Sequence, residues 1–402
     1  MGSQTISSPV KRRPVFAIPA AIAIAVGMAS TQLAQAEPIM LPAGVTFTPS
    51  IGVDLRYDDN INNSPVNEVE SWLMVGTPRF LLEADTGIST YSVQYSLSHG
   101  DYLDADRESY TDQALLADAS WDLHPRHGLE VNLVFRDIQE EFNSGVAPDL
   151  ESLIFERDRY IEKDFSSTYT FGAEDARGRL ELTVGHNDRD YIEEIRAQDR
   201  RGAYGSGLFR FNIAGQTNLL TRVDARDIDY RRLPELPDLD NREVNYLVGA
   251  ERDTPLLTLS LLAGLGTRTF DDPEVEDFSR PRWEFLAAWR PLEMTEVIFT
   301  ADRLALESRG LARLIDARSA SLGWTHEWTE TISTELSFRY TDADFEGTDL
   351  TENISRGIAG VDYRFLEWLT LRAGVSALKQ DATQAAFEYD RNQAFIGFEA
   401  SL

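Results

Sequence analysis

The chain has 402 residues and no cysteine, and its 67 acidic residues outnumber 38 basic ones for a formal net charge of −29. Without cysteine there is neither disulfide nor thiolate chemistry. A chain this acidic is a poor match for nucleic acid, where phosphate contacts dominate affinity, so no nucleic-acid partner is expected.

The first element is Lys11-Arg12-Arg13, an apolar run from Val15 to Ala29, and the small residues Ala34-Gln35-Ala36. A basic segment, a short apolar core and an A-x-A site form a secretory signal peptide. The run is short of the roughly 20 residues that a membrane helix needs. Cleavage before Glu37 is expected. The chain then divides into a signal peptide (1–36), a short periplasmic N-terminal segment (37–44) and one domain (45–402). After the signal, only Lys163 and Lys379 are lysines; every other cation is arginine.

From residue 45 onward the residue types alternate. Tyr91, Val93, Tyr95 and Leu97 are separated by Ser92, Gln94 and Ser96. Leu180, Leu182 and Val184 are separated by Glu181 and Thr183. Ile332, Thr334, Leu336, Phe338 and Tyr340 are interleaved with Ser333, Glu335, Ser337 and Arg339. Ala394, Ile396, Phe398, Ala400 and Leu402 close the chain in the same rhythm. A period of two means strands with one apolar face. In chain order the predicted strands are 45–57, 71–84, 88–100, 113–123, 129–140, 162–173, 179–189, 201–213, 217–229, 243–252, 256–269, 281–290, 295–306, 316–328, 332–341, 354–365, 369–378 and 389–402. That is about 18 strands, with 16 as the alternative count.

The connections alternate between short and long. The short ones, such as Asp85-Thr86-Gly87, Ala214-Gly215-Gln216 and Asp253-Thr254-Pro255, carry turn-forming residues. The long ones, 141–161, 230–242 and 342–353 among them, are polar and acidic. Short turns recur at intervals close to 40 residues, a period that a β-propeller blade shares. A blade packs four strands into that length, whereas each period here holds two strands long enough to cross a membrane at a tilt. The expected fold class is therefore all-β: a transmembrane antiparallel up-and-down β-barrel with short periplasmic turns and longer acidic extracellular loops. The expected location is the outer membrane of a Gram-negative-type bacterium. Trp121, Trp289, Trp328 and Trp368 fall near short turns, and Tyr57, Tyr102, Tyr191, Tyr230, Tyr340 and Tyr389 near long loops. This distribution suggests two interfacial girdles.

If the apolar faces meet lipid, the residues between them line the interior. The candidate lumen-lining set is Arg56, Arg79, Arg136, Arg222, Arg226, Arg268, Arg282, Arg339, Arg364 and Arg372, with Asp224, Glu284 and Glu335. The rigid guanidinium fork suits a carboxylate or a sugar acid. The plainer account is that such pairs brace the wall. Acidic clusters at Asp101–Glu108 and Asp271–Asp277 could bridge a hard cation to outer-leaflet lipid. They lack the EF-hand glycine, and solvated loops explain them as well. No metal or other cofactor is assigned. H-E-x-x-H, G-x-S-x-G and P-loop motifs are absent, so an enzyme is not expected. His99 and His186 fall near long-loop ends, but spacing gives them no catalytic partner.

The first strand runs Pro49-Ser50-Ile51-Gly52-Val53-Asp54-Leu55-Arg56 and ends in Tyr57-Asp58-Asp59-Asn60-Ile61. This segment resembles the start of the family called Putative β-barrel porin type 2, and the matching strand rhythm spans roughly 45–402. The resemblance implies an outer-membrane barrel that accompanies exopolysaccharide or capsule biosynthesis. It further implies a conduit for a polysaccharide chain, working with a periplasmic polysaccharide-export protein. Outer-membrane lipid and the outer-membrane assembly machinery complete the expected partners. A general or substrate-specific uptake porin is the alternative function; a barrel-type hydrolase or a surface adhesin stands further off. The chain departs from most such barrels by ending in Leu402 instead of an aromatic residue, with Phe398 four residues earlier.

Overall fold

The computed structural model describes residues 38–140, 159–173, 175–192, 199–231, 238–308 and 312–401. The expected signal peptide, the loop 141–158 and Leu402 lie outside the described residues. The strands are β1 (Ile39–Met40), β2 (Val45–Asp58), β3 (Ser71–Asp85), β4 (Ser89–Tyr102), β5 (Tyr110–His124), β6 (His127–Gln139), β7 (Arg159–Phe171), β8 (Gly178–Tyr191), β9 (Arg200–Ala214) and β10 (Thr217–Tyr230). They continue with β11 (Asn241–Asp253), β12 (Leu257–Phe270), β13 (Phe278–Leu292), β14 (Thr295–Leu306), β15 (Leu314–Glu327), β16 (Ile332–Glu346), β17 (Thr351–Leu366), β18 (Leu369–Ala382) and β19 (Tyr389–Ser401).

From β2 to β19 each strand pairs antiparallel with the next, and β19 returns to β2, with Gln393 opposite Asp58 and Ser401 opposite Ser50. The ring therefore has 18 strands, and the alternative of 16 falls away. Closure matters physically: lipid cannot satisfy backbone groups, and a closed ring leaves no edge. The two-residue β1 lies within the segment expected to be a plain periplasmic lead and pairs with the start of β2, Ile39 opposite Phe47.

Alternation sets the two faces. Val184, Val248 and Ile396 are each more than 60% exposed, as membrane-facing side chains are in the isolated chain. Their strand neighbours one residue away turn inward. Trp289, Trp328 and Trp368 are exposed at the short-turn end, and Trp121 packs edge-on against Tyr91. The opposite girdle is only partly as expected. Tyr57 and Tyr340 face outward, but Tyr102 and Tyr191 are buried on the inner face, and Tyr230 reaches Glu307. The reason is parity: each sits an odd number of residues from its strand's outward apolar side chains.

Several strands also run past their predicted ends. The β16–β17 connection is only 347–350, where 342–353 was expected. Outward Asp342 and Asp344 looked like loop residues; instead they pair with Arg318 of β15 at 3.2 and 3.4 Å. The ribbon continues beyond the apolar band as a charged ladder.

The ring is creased. Gly249 (β11) and Gly264 (β12) face inward, and a Cβ added at either would lie 1.8 Å from a backbone oxygen of the neighbouring strand, Leu261 or Tyr246. Only glycine lets two strands fold together this sharply, as at a barrel corner. At the β19–β2 seam, a Cβ on Gly397 would lie 2.1 Å from Asp54 Oδ1 and 2.5 Å from Val53 O. The two creases divide the ring into a wall from β2 to β11 and a wall from β12 to β19.

Candidate functional site

All thirteen predicted lumen-lining residues occupy inward positions of their strands, by alternation with the exposed apolar side chains. The structure joins most of them into ion pairs. Around the β11–β12 crease, Arg222 (β10) reaches Glu284 (β13) at 2.5 Å and Asp224 at 2.9 Å. Adjacent strands lie about 4.8 Å apart, so β10 and β13 are roughly 14 Å apart along a flat sheet. The crease is what brings these side chains together. Arg282 bridges Glu243 (3.2 Å) and Glu284 (3.0 Å), and Arg268, 1% exposed, bridges Glu243 (2.7 Å) and Glu307 (3.0 Å). Beneath this network Leu220, Leu247 and Leu262 form a buried apolar patch on the inner face.

A second network spans the seam. Arg372 (β18) reaches Asp54 (β2) at 2.9 Å across β19, and Arg79 (β3) reaches Glu399 (β19) at 3.5 Å across β2. Arg56 pairs with Asp54 at 2.9 Å. On the other wall Arg136 and Arg189 share Glu162 at 3.0 and 2.9 Å. Arg226 lies in the fields of Asp164 and Glu307 without an ion pair to either. Arg339, Arg364 and Glu335 sit on the inner face of β16 and β17.

Glu307 follows β14 at the long-loop end. Burial alone would push its carboxyl up, but the guanidiniums of Arg268, Arg200 and Arg226 and a hydrogen bond from Tyr230 outweigh burial and hold it at about 2. The carboxylate is therefore a permanent anion that ties β10, through Tyr230, and β12, through Arg268, to the loop.

The Tyr57-Asp58-Asp59-Asn60 motif proves to be a clasp across the seam. Asp58, 1% exposed, accepts hydrogen bonds from Arg391 Nη2 at 2.6 Å, Arg391 Nε at 3.0 Å, Gln393 Nε2 at 2.7 Å and the Asn60 amide at 3.1 Å. Asp59 accepts from the Asn392 backbone N–H (2.6 Å) and side-chain amide (2.8 Å). Asn60, with no exposed surface, donates to Ser64 O and to Asp390 O, both at 2.9 Å. Tyr57 faces outward, its ring 5.3 Å from Trp72 and its hydroxyl donating to Glu70 at 2.5 Å. The motif thus locks the first strand to the last where the backbone ladder ends.

Sequence reading missed Glu162, Glu243, Glu307, Arg356 and Arg391. Strand parity could have found Glu162 and Glu243. Nothing local marks Arg391, whose partner is more than 300 residues away. His99 and His186 both face outward; His99 bonds Thr111 at 2.8 Å. Among the described residues no three acidic, histidine or cysteine side chains converge as a metal site.

Comparison with solved structures gives the fold. OccK2 (OpdF) of Pseudomonas aeruginosa, determined in complex with glucuronate, aligns over 89% of this chain and 98% of its own at 12% identity and TM-score 0.50. OccK1 (OpdK) of the same organism gives the same coverage, identity and TM-score. The FrpB iron transporter of Neisseria meningitidis (F3-3 variant) aligns over 82% of this chain at 12% identity and TM-score 0.47; the chain spans 62% of that transporter's length. No curated protein sequence matches. Residues 43–402 match the family described as Putative beta-barrel porin 2. The chain belongs to that family and is a porin-like β-barrel of the outer membrane.

Proposed function

We propose that the barrel is a passive polar conduit that carries an exopolysaccharide across the outer membrane. The observation that carries this reading is the inner face, lined from seam to crease by arginines and carboxylates, inside a ring whose outer face is apolar. Such a wall is wetted and offers hydrogen bonds to a hydrated sugar chain, lowering the cost of crossing hydrocarbon. The first 36 residues would direct secretion, the assembly machinery would insert the barrel into outer-membrane lipid, and a periplasmic polysaccharide-export protein would deliver the polymer to the short-turn end. In this reading the chain performs no catalysis.

A clean deletion with a complemented control tests it. Sugar polymer is assayed in medium and periplasm. Loss from the medium with periplasmic retention or halted synthesis is expected; normal secretion refutes the export role.

One feature favours uptake of small solutes instead. The clamps at both creases, Arg222 to Glu284 and Arg372 to Asp54, tie non-adjacent strands together and take up interior space. A deletion strain that secretes normally but grows poorly on one hydrophilic nutrient would establish that second reading.

A further inference from the structure

Arg339 (β16) and Arg356 (β17) stand directly opposite each other in the strand register, both on the inner face. Facing side chains of an antiparallel pair have Cβ atoms about 5 Å apart, and like charges there are destabilising. Among the described residues neither makes an ion pair, unlike most inward arginines. Arg356 Nε is buried without a hydrogen-bond partner. Arg339 makes only a long hydrogen bond, 3.5 Å from its Nε to Thr341 Oγ1. Asp302 (β14) feels the field of Arg339 from beyond ion-pair distance, and its Oδ2 is also buried and unpartnered.

Between these groups lies a shelf of hydroxyls. Ser321 is opposite Arg339 and bonds Thr300 at 2.6 Å; Ser319 is opposite Asp302 and bonds Thr341 at 3.1 Å. Two unmatched guanidiniums, a hydroxyl shelf and one free carboxylate acceptor therefore sit side by side on β14–β17.

The geometry points to a binding site for an acidic sugar on this part of the inner wall. The solute's carboxylate bridges Arg339 and Arg356, and its ring hydroxyls bond the Ser319–Ser321 shelf and donate to Asp302. A bare inorganic anion would gain the guanidiniums but has no hydroxyl to donate to the unpartnered Oδ2 of Asp302, so the site selects for the sugar acid. The inference deepens the conduit reading by naming the solute class, and rests on it only in that the interior is open to solutes.

The test is calorimetric titration of the full-length barrel in detergent with galacturonate, glucose, acetate and sulfate. Saturable binding of galacturonate, stronger than that of the other three, is expected. Arg339→Gln/Arg356→Gln should weaken it about tenfold to a hundredfold, the worth of charge-assisted hydrogen bonds. Arg356→Gln alone should raise the melting temperature of the free barrel, since it removes a facing like charge. This also separates loss of binding from loss of fold. No galacturonate binding by the folded wild type, undiminished binding by the double variant, equal binding of sulfate, or a lowered melting temperature for Arg356→Gln would overturn the assignment. Because binding is read on the purified barrel, normal polymer secretion in the deletion strain would sink the export reading while leaving the site intact.

Discussion

Removal of the Asp58 carboxylate from the seam tests most directly how the barrel stays closed. In Asp58→Ala, the Arg391 guanidinium, 7% exposed, loses the carboxylate that its Nε and Nη2 bond at 3.0 and 2.6 Å, while its Nη1 keeps Asn63 Oδ1 at 3.3 Å. Gln393 Nε2 loses its acceptor as well. Breaking a buried ion pair on one side costs about 3–5 kcal/mol, because the desolvated charge loses the carboxylate that offset its burial. At 1.4 kcal/mol per factor of ten, that lowers the folded-to-unfolded ratio by roughly two to three and a half orders of magnitude. Asp58→Asn keeps acceptor and shape and should cost less, about 1.5–3 kcal/mol, the worth of a hydrogen bond to a charged group. The double variant Asp58→Ala/Arg391→Ala removes the buried guanidinium together with its counter-ion and should be more stable than Asp58→Ala alone. The assay is urea unfolding followed by tryptophan fluorescence, with heat-modifiable gel migration as a check on closure. Wild-type midpoints for both single variants, or strictly additive losses in the double variant, would refute the clasp.

Three further outcomes are expected. Gly249→Leu should prevent formation of the heat-modifiable barrel, because its Cβ would meet Leu261 O at 1.8 Å, whereas Gly357→Ala, with nothing within 4 Å, should fold normally. Val184→Arg should cost about 2–4 kcal/mol of stability in bilayers, the penalty for a cation near mid-membrane on a barrel's lipid face, and much less in a position on the inner wall. Glu307 titrates near 2 in the folded chain against about 4.3 unfolded, so its stabilisation is complete above about pH 4.3 and is lost as pH falls toward 2. The unfolding midpoint of Glu307→Gln should therefore lie below wild type by a constant margin from pH 7 to 5, and the margin should close in acid; a margin that widens in acid would contradict the assignment.

Strand number, strand positions, turn placement and the inner face were legible in the amino-acid order because each is local. A strand's two faces repeat every two residues, and turns need particular residues within a few positions. Even so, Asp342 and Asp344 read as loop, since a charged outward ladder above the apolar band carries the same signature as a connection. Tyr102, Tyr191 and Tyr230 read as girdle because position along the chain was weighed ahead of parity. What the tertiary structure alone decided is which arginine meets which carboxylate. Arg222 and Glu284 lie 62 residues and three strands apart, and they touch only because glycines let the sheet fold at β11–β12. Asp58 and Arg391 lie 333 residues apart, and only closure of the ring brings them together. Alternation follows from the geometry of one strand, whereas these pairings follow from how far the sheet bends before it meets itself, and no stretch of sequence encodes that locally.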